Sequence, residues 1–415
     1  MPWPVHAAKQ EAAGIIETVK SEEKNMQEDF HYYATYCAAY LAGFTHEESL
    51  DICYSAQLVD LCSRTFLSKI KAPLSAATTQ LQLEMMEART DLVGLQDITR
   101  IWSSFHFLPY DLFAEVKKGT SKRYKNKYRL ICDTNSDLLV DTVHLAAGKG
   151  LPAAGIAMHI LADTWAHRYF AGTPSLVINN TNYYFYEMLP DGQGGFTDIQ
   201  ISFRHSPSDP DDLDVYKYTN SLFQSKEHSI MNLGHGRAGH LPDYSFIRYK
   251  YLPAWGDYDE IIKDNPSDYY HAFCQMIYAL KYLIGDIAEF EKNTYAWNEA
   301  KLYEDEIKTI IEKRQLNASA DWKGFGEKLS GQEIEPFDLT KYESEYVNAE
   351  NDDKDETFLG KFILAAMAQK SMVTNKIYTS GNLLAGYSID FGEKGFAGIK
   401  DYQLLVKHFQ KGFGI

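Results

Sequence analysis

The chain has 415 residues, 45% hydrophobic and 24% charged, an ordinary globular composition and long enough for a sizeable core. Its formal net charge of −16 excludes a binder that grips nucleic acid through a basic surface, but not a nuclease whose metals supply local positive charge. No run reaches the roughly 18 apolar residues that a membrane span needs, so stable membrane insertion is not expected. The five cysteines, Cys37, Cys53, Cys62, Cys132 and Cys274, form no CxxC pair, which argues against a zinc ribbon or redox motif and fits free thiols in a reducing compartment. Residues 1–26 lack the apolar core of a signal peptide. A cytoplasmic protein, or one exported without a recognisable signal peptide, is the expectation.

Residues 1–28 read as a polar helical extension, ahead of a helical domain over 29–295 and a C-terminal helical region over 296–415. From Asp29, DFHYYATYCAAYLAGF places His31 in a first turn among small and aromatic residues and ends at Gly43, a helix-terminating glycine. THEE at Thr45 has capping-box form and opens a second helix that carries Asp60 near its end. His46-Glu47 does not continue as a metalloprotease motif, because Leu50 stands where the second histidine would fall. Residues 66–100 are mixed: TTQLQLEMM alternates like a strand, and EARTDLVGLQDITRIW has helical period. His106 follows in FHFLPYD, an irregular apolar segment where a lone histidine is more often structural than a ligand. Residues 135–149 form a predicted helix bearing His144. GKGLP then breaks the chain, and its GKG lacks the GxxxxGK[ST] spacing of a phosphate loop.

The organising stretch is GIAMHILADTWAHRYFAG, an apolar run from Gly155 to Gly172 carrying His159, Asp163 and His167. Four helical residues turn about 400°, so these three groups line one face. Burying a carboxylate between two imidazoles costs several kcal/mol unless it is paired or metal-bound. A structural His–Asp hydrogen bond accounts for one pair but poorly for three groups in register, and imidazole with carboxylate is a zinc-type ligand set.

Beyond Gly172 the character changes. Two β-rich runs flank a Pro-Asp-Gly-Gln-Gly-Gly turn, predicting a β-hairpin within a β-rich insert over about residues 173–210. Tyr183, Tyr184, Phe185 and Tyr186 are compatible with the wall of a substrate cleft, although aromatic strand residues more often serve packing. SPSDPDDLD is read as capping another helix through about Leu233. NLGHGRAGHLPDY then brings His235, His240 and Asp243 together with glycines that let the backbone approach closely. Residues 257–292 contain a long helix with core-like period, in which His271 reads as structural; 297–314 and 356–378 are further helices, and the acidic 331–357 segment a linker or surface loop.

The candidate metal ligands are therefore His31, Asp60, His106, His159, Asp163, His167, His235, His240 and Asp243. Nine N/O donors would serve two or three divalent ions. Cysteine has no part in this set and no glutamate can be placed in it, which speaks against a ferritin-like di-iron bundle needing ExxH pairs, and the HD dipeptide of another phosphohydrolase class is absent. The order of these residues resembles the zinc-dependent phospholipase C and single-strand-specific zinc nuclease superfamily. More narrowly, FHYYATYCAAYLAGF, YSAQLVD, HILADTWAH and GHGRAGHLPD resemble an uncharacterised bacterial family associated with it, over residues 29–290.

The resemblance implies a mainly α, multi-helix bundle with three zinc ions at the base of a cleft. Asp60, His106, His159 and Asp163 would hold one ion; His167 with Asp243 and either His235 or His240 a second; His31 with Asp163 a third. Two departures stand out. The superfamily uses its mature N-terminal residue as a ligand, whereas His31 lies inside this chain, and its late HxxxD pair is here HxxD at His240 and Asp243. The implied activity is phosphoric ester hydrolysis of phospholipase C type by a metal-activated water, with Asp60 and Asp163 at the reacting centre and a cationic pocket drawing in phosphate. Zinc is the expected ion, other divalent metals being alternatives. The substrate would be a phospholipid or, for a nuclease of the same superfamily, single-stranded nucleic acid whose bases stack on tyrosines. The reading from another class is a non-catalytic, metal-stabilised interaction or effector module. No obligate protein partner is evident.

Overall fold

In the computed structural model, which describes residues 28–204, 211–220 and 232–386, helix limits fall where the sequence supplies caps. A π-helical turn, Asp29–Ala34, continues into α1 (Thr35–Ala42) and stops at Gly43, whose φ of 106° suits glycine alone. The chain enters α2 (His46–Leu61) through a complete capping box: Thr45 Oγ1 accepts from Glu48 N while Glu48 Oε2 accepts from Thr45 N. α3 (Arg64–Lys69), α4 (Gln82–Ala88) and α5 (Leu92–Phe105) follow, with Ser63 and Asp91 capping α3 and α5. The stretch that alternates like a strand is thus helical from Gln82, because Glu84 accepts from the Leu81 amide at 3.2 Å and starts the turn. α6 (Lys122–Tyr128) and α7 (Asp137–Ala146) lead to α8 (Leu151–Ala166), which opens after Gly150 with Pro152 in its first turn.

The sheet region interrupts the helices. β1 (Thr181–Pro190) and β2 (Phe196–Gln200) form the expected antiparallel hairpin, with Asp191 Oδ1 accepting from the Gln193 and Gly195 amides in its turn. The insert is larger than a hairpin. β3 (Ser202–Arg204) pairs in parallel with β4 (Lys217–Thr219), and β5 (Arg248–Pro253) and β6 (Ile261–Asp264) complete a four-stranded sheet of order β2-β1-β5-β6. Within the helix read over residues 215–233, the described part is therefore strand at Lys217–Thr219, where Tyr218 buries its ring and donates to Glu187; residues 221–231 lie outside the described residues, as does the extension read over residues 1–27. The aromatics of β1 are divided between packing and solvent. Phe185 is buried against Tyr251, the Tyr184 hydroxyl donates to Glu260, the Tyr186 ring faces Lys250, and Tyr183 is exposed.

α9 (Asn265–Ile284), α10 (Trp297–Ala300), α11 (Glu304–Glu312), α12 (Ser319–Ser330), α13 (Glu343–Asn348) and α14 (Phe358–Thr379) complete the described chain. The acidic segment read as loop contains α13, because Tyr346 gives it one buried anchor. The described protein is mainly helical, no helix in it is long and apolar enough to cross a membrane, and its five cysteines are buried as free thiols.

α8 is the axis of the main core. Every residue from Pro152 to Ala166 is buried, so the helix has no polar outer face, and α2, α5, α7, α9 and α14 pack around it. The crossing with α2 is the tightest. A Cβ on Gly155 would stand 2.3 Å from Ile52 O and 2.5 Å from Ser55 Cβ, and Ser55 Oγ donates to Pro152 O at 2.6 Å. Helices from both sides of residue 295 share this core: Trp322 of α12 packs on Phe30 and Phe273, and α14 lies along α8. A second, smaller core joins the sheet to the loop before β5 through Phe107, Phe170, Phe185, Leu241, Tyr249 and Tyr251.

Because Gly155 sits where two backbones touch, Gly155→Ala should force α2 and α8 apart and cost about 1–3 kcal/mol, as overpacking does. Ser55→Ala should lose about 1 kcal/mol by removing one buried hydrogen bond. Urea denaturation of both variants gives the comparison; equal stability of Gly155→Ala and wild type would contradict the close crossing.

Candidate metal centre

Each candidate ligand is delivered by an element end or by the face of α8. His31 lies in the π-helical turn, Asp60 in the last turn of α2, His106 at the C-cap of α5, His159 and Asp163 on α8, and His167 at its C-cap. His235 and His240 come from the glycine-rich loop, and Asp243 from a 3₁₀ turn, Leu241–Asp243, that this loop enters. Gly239, with φ 58° and an added Cβ only 2.0 Å from Thr219 O, lets that loop fold against β4.

Asp163 is the hub, with 1% of its surface exposed. Its Oδ1 lies 3.1 Å from His31 Nε2; its Oδ2 lies 3.2 Å from His106 Nδ1, 3.2 Å from His159 Nε2 and 3.5 Å from His167 Nδ1. His159 Nε2 and His106 Nδ1 are themselves 3.3 Å apart, and Asp60 Oδ1 faces them at 3.9 and 3.8 Å. Beside this group, Asp243 Oδ1 lies 3.3 Å from His167 Nε2 and 3.5 Å from His235 Nε2, while its Oδ2 meets His240 Nδ1 at 3.0 Å. Three sets of side chains bring ligand atoms within 4.8 Å of one another: His31, His159 and Asp163; Asp60, His106 and His159; His167, His235 and Asp243.

The outer ring nitrogens fix how the inner ones face the cluster. His159 Nδ1 is 3.0 Å from Ala56 O, His106 Nε2 is 3.0 Å from Thr78 O, and His235 Nδ1 is 2.7 Å from Gly239 O. A neutral imidazole donating to such a carbonyl turns a bare lone pair inward. Burial pushes His159 and His235 down to about 4, so both are neutral at pH 7. His159 Nε2 therefore sets a lone pair against a carboxylate oxygen at 3.2 Å, and His235 Nε2 does the same against Asp243. Contacts between acceptors are unfavourable unless a cation lies between them. Donors about 2.0 Å from a tetrahedral zinc ion are about 3.3 Å apart, which is the spacing among His106, His159 and Asp163. The donor set and its outer carbonyls fit a divalent ion of zinc type.

The carboxylates and the remaining histidines show the same field. Burial alone would raise the Asp163 carboxyl, but the imidazoles of His167, His159 and His31 outweigh it and hold the group well below the usual carboxylate range. Asp243 is lowered likewise, burial being overcome by His235, His167 and His240. For His167, burial lowers the pKa, yet Asp163 and Asp243 together raise it to about 9. His31 is also raised, because Asp163 outweighs its burial. The centre meets solvent at Asp60 and His240, whose side chains are 26% and 32% exposed.

All nine sequence-derived candidates converge. Between the two histidines left open for the second set, His235 faces His167 across Asp243 Oδ1, whereas His240 holds the other carboxylate oxygen. His144 is exposed against Tyr282, and His271 bonds Ser267 O and stacks on Trp165, both apart from the centre. Sequence reasoning missed the carbonyls of Ala56, Thr78, His106 and Gly239, since a backbone carbonyl carries no residue signature. It also missed Lys263, which is buried and donates to Trp165 O at the carboxyl end of α8 and to Asp268 Oδ2.

The chain belongs to a family of unknown function (DUF6765), which matches it over residues 26–377. No curated protein and no solved structure matches it.

Two outcomes follow from the centre. Native protein should take up two or more zinc equivalents by elemental analysis, and Asp163→Asn should weaken uptake by more than the roughly 10–100-fold typical of losing an outer partner. Because His167 keeps its proton up to about pH 9 in the metal-free protein, an ion that binds there must expel it. Affinity should therefore fall as pH drops below 9, with a proton released at pH 7. Calorimetry in two buffers of different ionisation enthalpy reads that release directly, and none would contradict ligation by His167.

Proposed function

We propose that the His/Asp centre is the reaction site of a divalent-metal-dependent phosphoric ester hydrolase, with zinc as the ion and a phospholipase C-like activity. The observation that carries it is the inward lone pair of neutral His159, set 3.2 Å from a carboxylate oxygen and 3.3 Å from a second imidazole nitrogen. His106, His159, Asp163 and Asp60 would hold one ion, and His167, His235 and Asp243 another. Such ions acidify bound water and neutralise phosphoryl oxygens.

The chain's own groups divide the remaining work. Asp163 spans the centre, one oxygen toward His31 and the other toward His106 and His159, and so fixes the spacing of the sets. Asp60 is the group best placed to take a proton from attacking water. Its side chain reaches solvent, and its Oδ2 has no hydrogen-bond partner among the described residues. Three carboxylates against two divalent ions would leave the pocket positive within an acidic protein, which draws in a phosphate. The net charge of −16 favours a lipid phosphodiester over a polyanionic nucleic acid. Nuclease activity is the second reading within the class. The deep burial of His31, His159 and Asp163 is what favours the remaining alternative, a closed, metal-stabilised module without turnover.

With zinc present, phosphatidylcholine vesicles should be hydrolysed faster than single-stranded DNA, and Asp60→Asn should lower turnover about 100-fold or more. Zinc uptake with no hydrolysis of either substrate would support the module instead.

A further inference from the structure

Besides packing along α8, α14 carries two adjacent residues, Gln369 and Lys370, that reach the backbone framing His106. Gln369 is buried, and its Nε2 donates to Ser104 O at 3.2 Å and to Thr142 Oγ1 at 2.9 Å. Ser104 lies in the last turn of α5, where carbonyls lack helical partners, two residues before His106. Lys370 Nζ donates to Ala77 O at 2.6 Å and forms no ion pair among the described residues. A lysine drawn inward to a neutral carbonyl gives up hydration, and burial accordingly pushes its amine down to about 8.

Ala77 precedes Thr78, which contacts His106 and the end of α2 around Asp60. Thr78 N donates to Cys62 O at 2.9 Å and Thr78 Oγ1 to Val59 O at 2.6 Å, on either side of Asp60, while Thr78 O faces His106 Nε2 at 3.0 Å. Ala77 O and Thr78 N belong to one planar trans peptide, held by Lys370 at its carbonyl and by Cys62 O at its amide. Lys370 thus fixes from α14 the peptide immediately before the Thr78 carbonyl that faces the imidazole. Gln369 fixes the other approach, the end of α5.

We propose that Gln369 and Lys370 are positioning residues: from 263 and 264 positions beyond His106, they clamp the two backbone segments that orient His106 and the end of α2 at Asp60, making α14 part of the centre's frame. The inference rests on the metal-centre reading, and it concerns one set of ligands more than the other. Among the described residues, Gln369 and Lys370 make no hydrogen bond to the elements that carry His235 and Asp243.

Zinc titration of the full chain tests it, with Asp60→Asn and His235→Ala used to assign the binding steps. Lys370→Met and Gln369→Leu should weaken the step that Asp60→Asn removes by about 10–100-fold, the loss typical of outer partners. They should leave the step that His235→Ala removes within about threefold. Lys370→Arg, which keeps the donor, should recover most of the loss. A merely structural role predicts instead that both steps weaken together with the melting temperature, and that outcome overturns the proposal. Unchanged affinity at both steps overturns it as well, while leaving the metal centre standing. No zinc uptake by wild-type protein removes the metal centre and this inference with it.

Discussion

A carboxylate buried on an apolar helix has to be compensated where it stands, and Asp163 imposes that requirement on the whole protein. An ionised group taken out of water costs several kcal/mol unless its partners are close and well directed. Its partners are imidazoles drawn from the first helical turn, the end of α5 and the two neighbouring turns of α8. Three of those rings are held in turn by carbonyls: His159 by Ala56 of α2, His106 by Thr78 and His167 by His106. The tight crossing at Gly155 belongs to the same set of constraints, since it brings the Ala56 carbonyl within reach of His159. A shift of any of these elements would leave a buried charge or a buried ring nitrogen unsatisfied.

The titration pattern divides the histidines into two kinds. His159 and His235 are neutral by burial and present bare nitrogens, whereas His31, His167 and His240 sit beside carboxylates that favour their protonated forms. The metal-free centre can thus balance part of its negative charge with protons, and the neutral rings offer nitrogen donors that need lose no proton to bind a cation. Farther along α8, Lys263, Arg168, Asp133 and Asp268 form a separate ion network that caps the carboxyl end of the helix. Placing cations there complements the helix dipole, while His167 at the C-cap faces Asp243.

Much of this was legible in the sequence because it rests on local rules. The Thr45 capping box, the Gly43 stop, the break before Pro152 and the one-face spacing of His159, Asp163 and His167 need only neighbouring residues to be read. The hairpin turn was visible for the same reason. What escaped was non-local. Alternation in RYKYLP, with every second residue buried, was available as a strand signal, but one of its two partners is β1, more than sixty residues earlier. Gln82–Ala88 alternates in composition and is nevertheless a helix, because it buries none of its residues and its cap decides its form. The outer shell was invisible in principle, since His106 and His159 are oriented by main-chain oxygens.

The Gln369–Ser104 hydrogen bond spans 265 positions, and the contacts around Asp163 already join residue 31 to residue 167. A centre assembled from such distant segments has high contact order, so its ligands cannot be brought together until most of the chain is available and loop-closure entropy has been overcome. During synthesis, with domains folding as units as the chain emerges, short nascent stretches such as HILADTWAH would offer an ion only a fragment of its site. Tight metal capture by this centre would therefore be a late event in the life of each molecule, marking the completion of folding rather than its beginning.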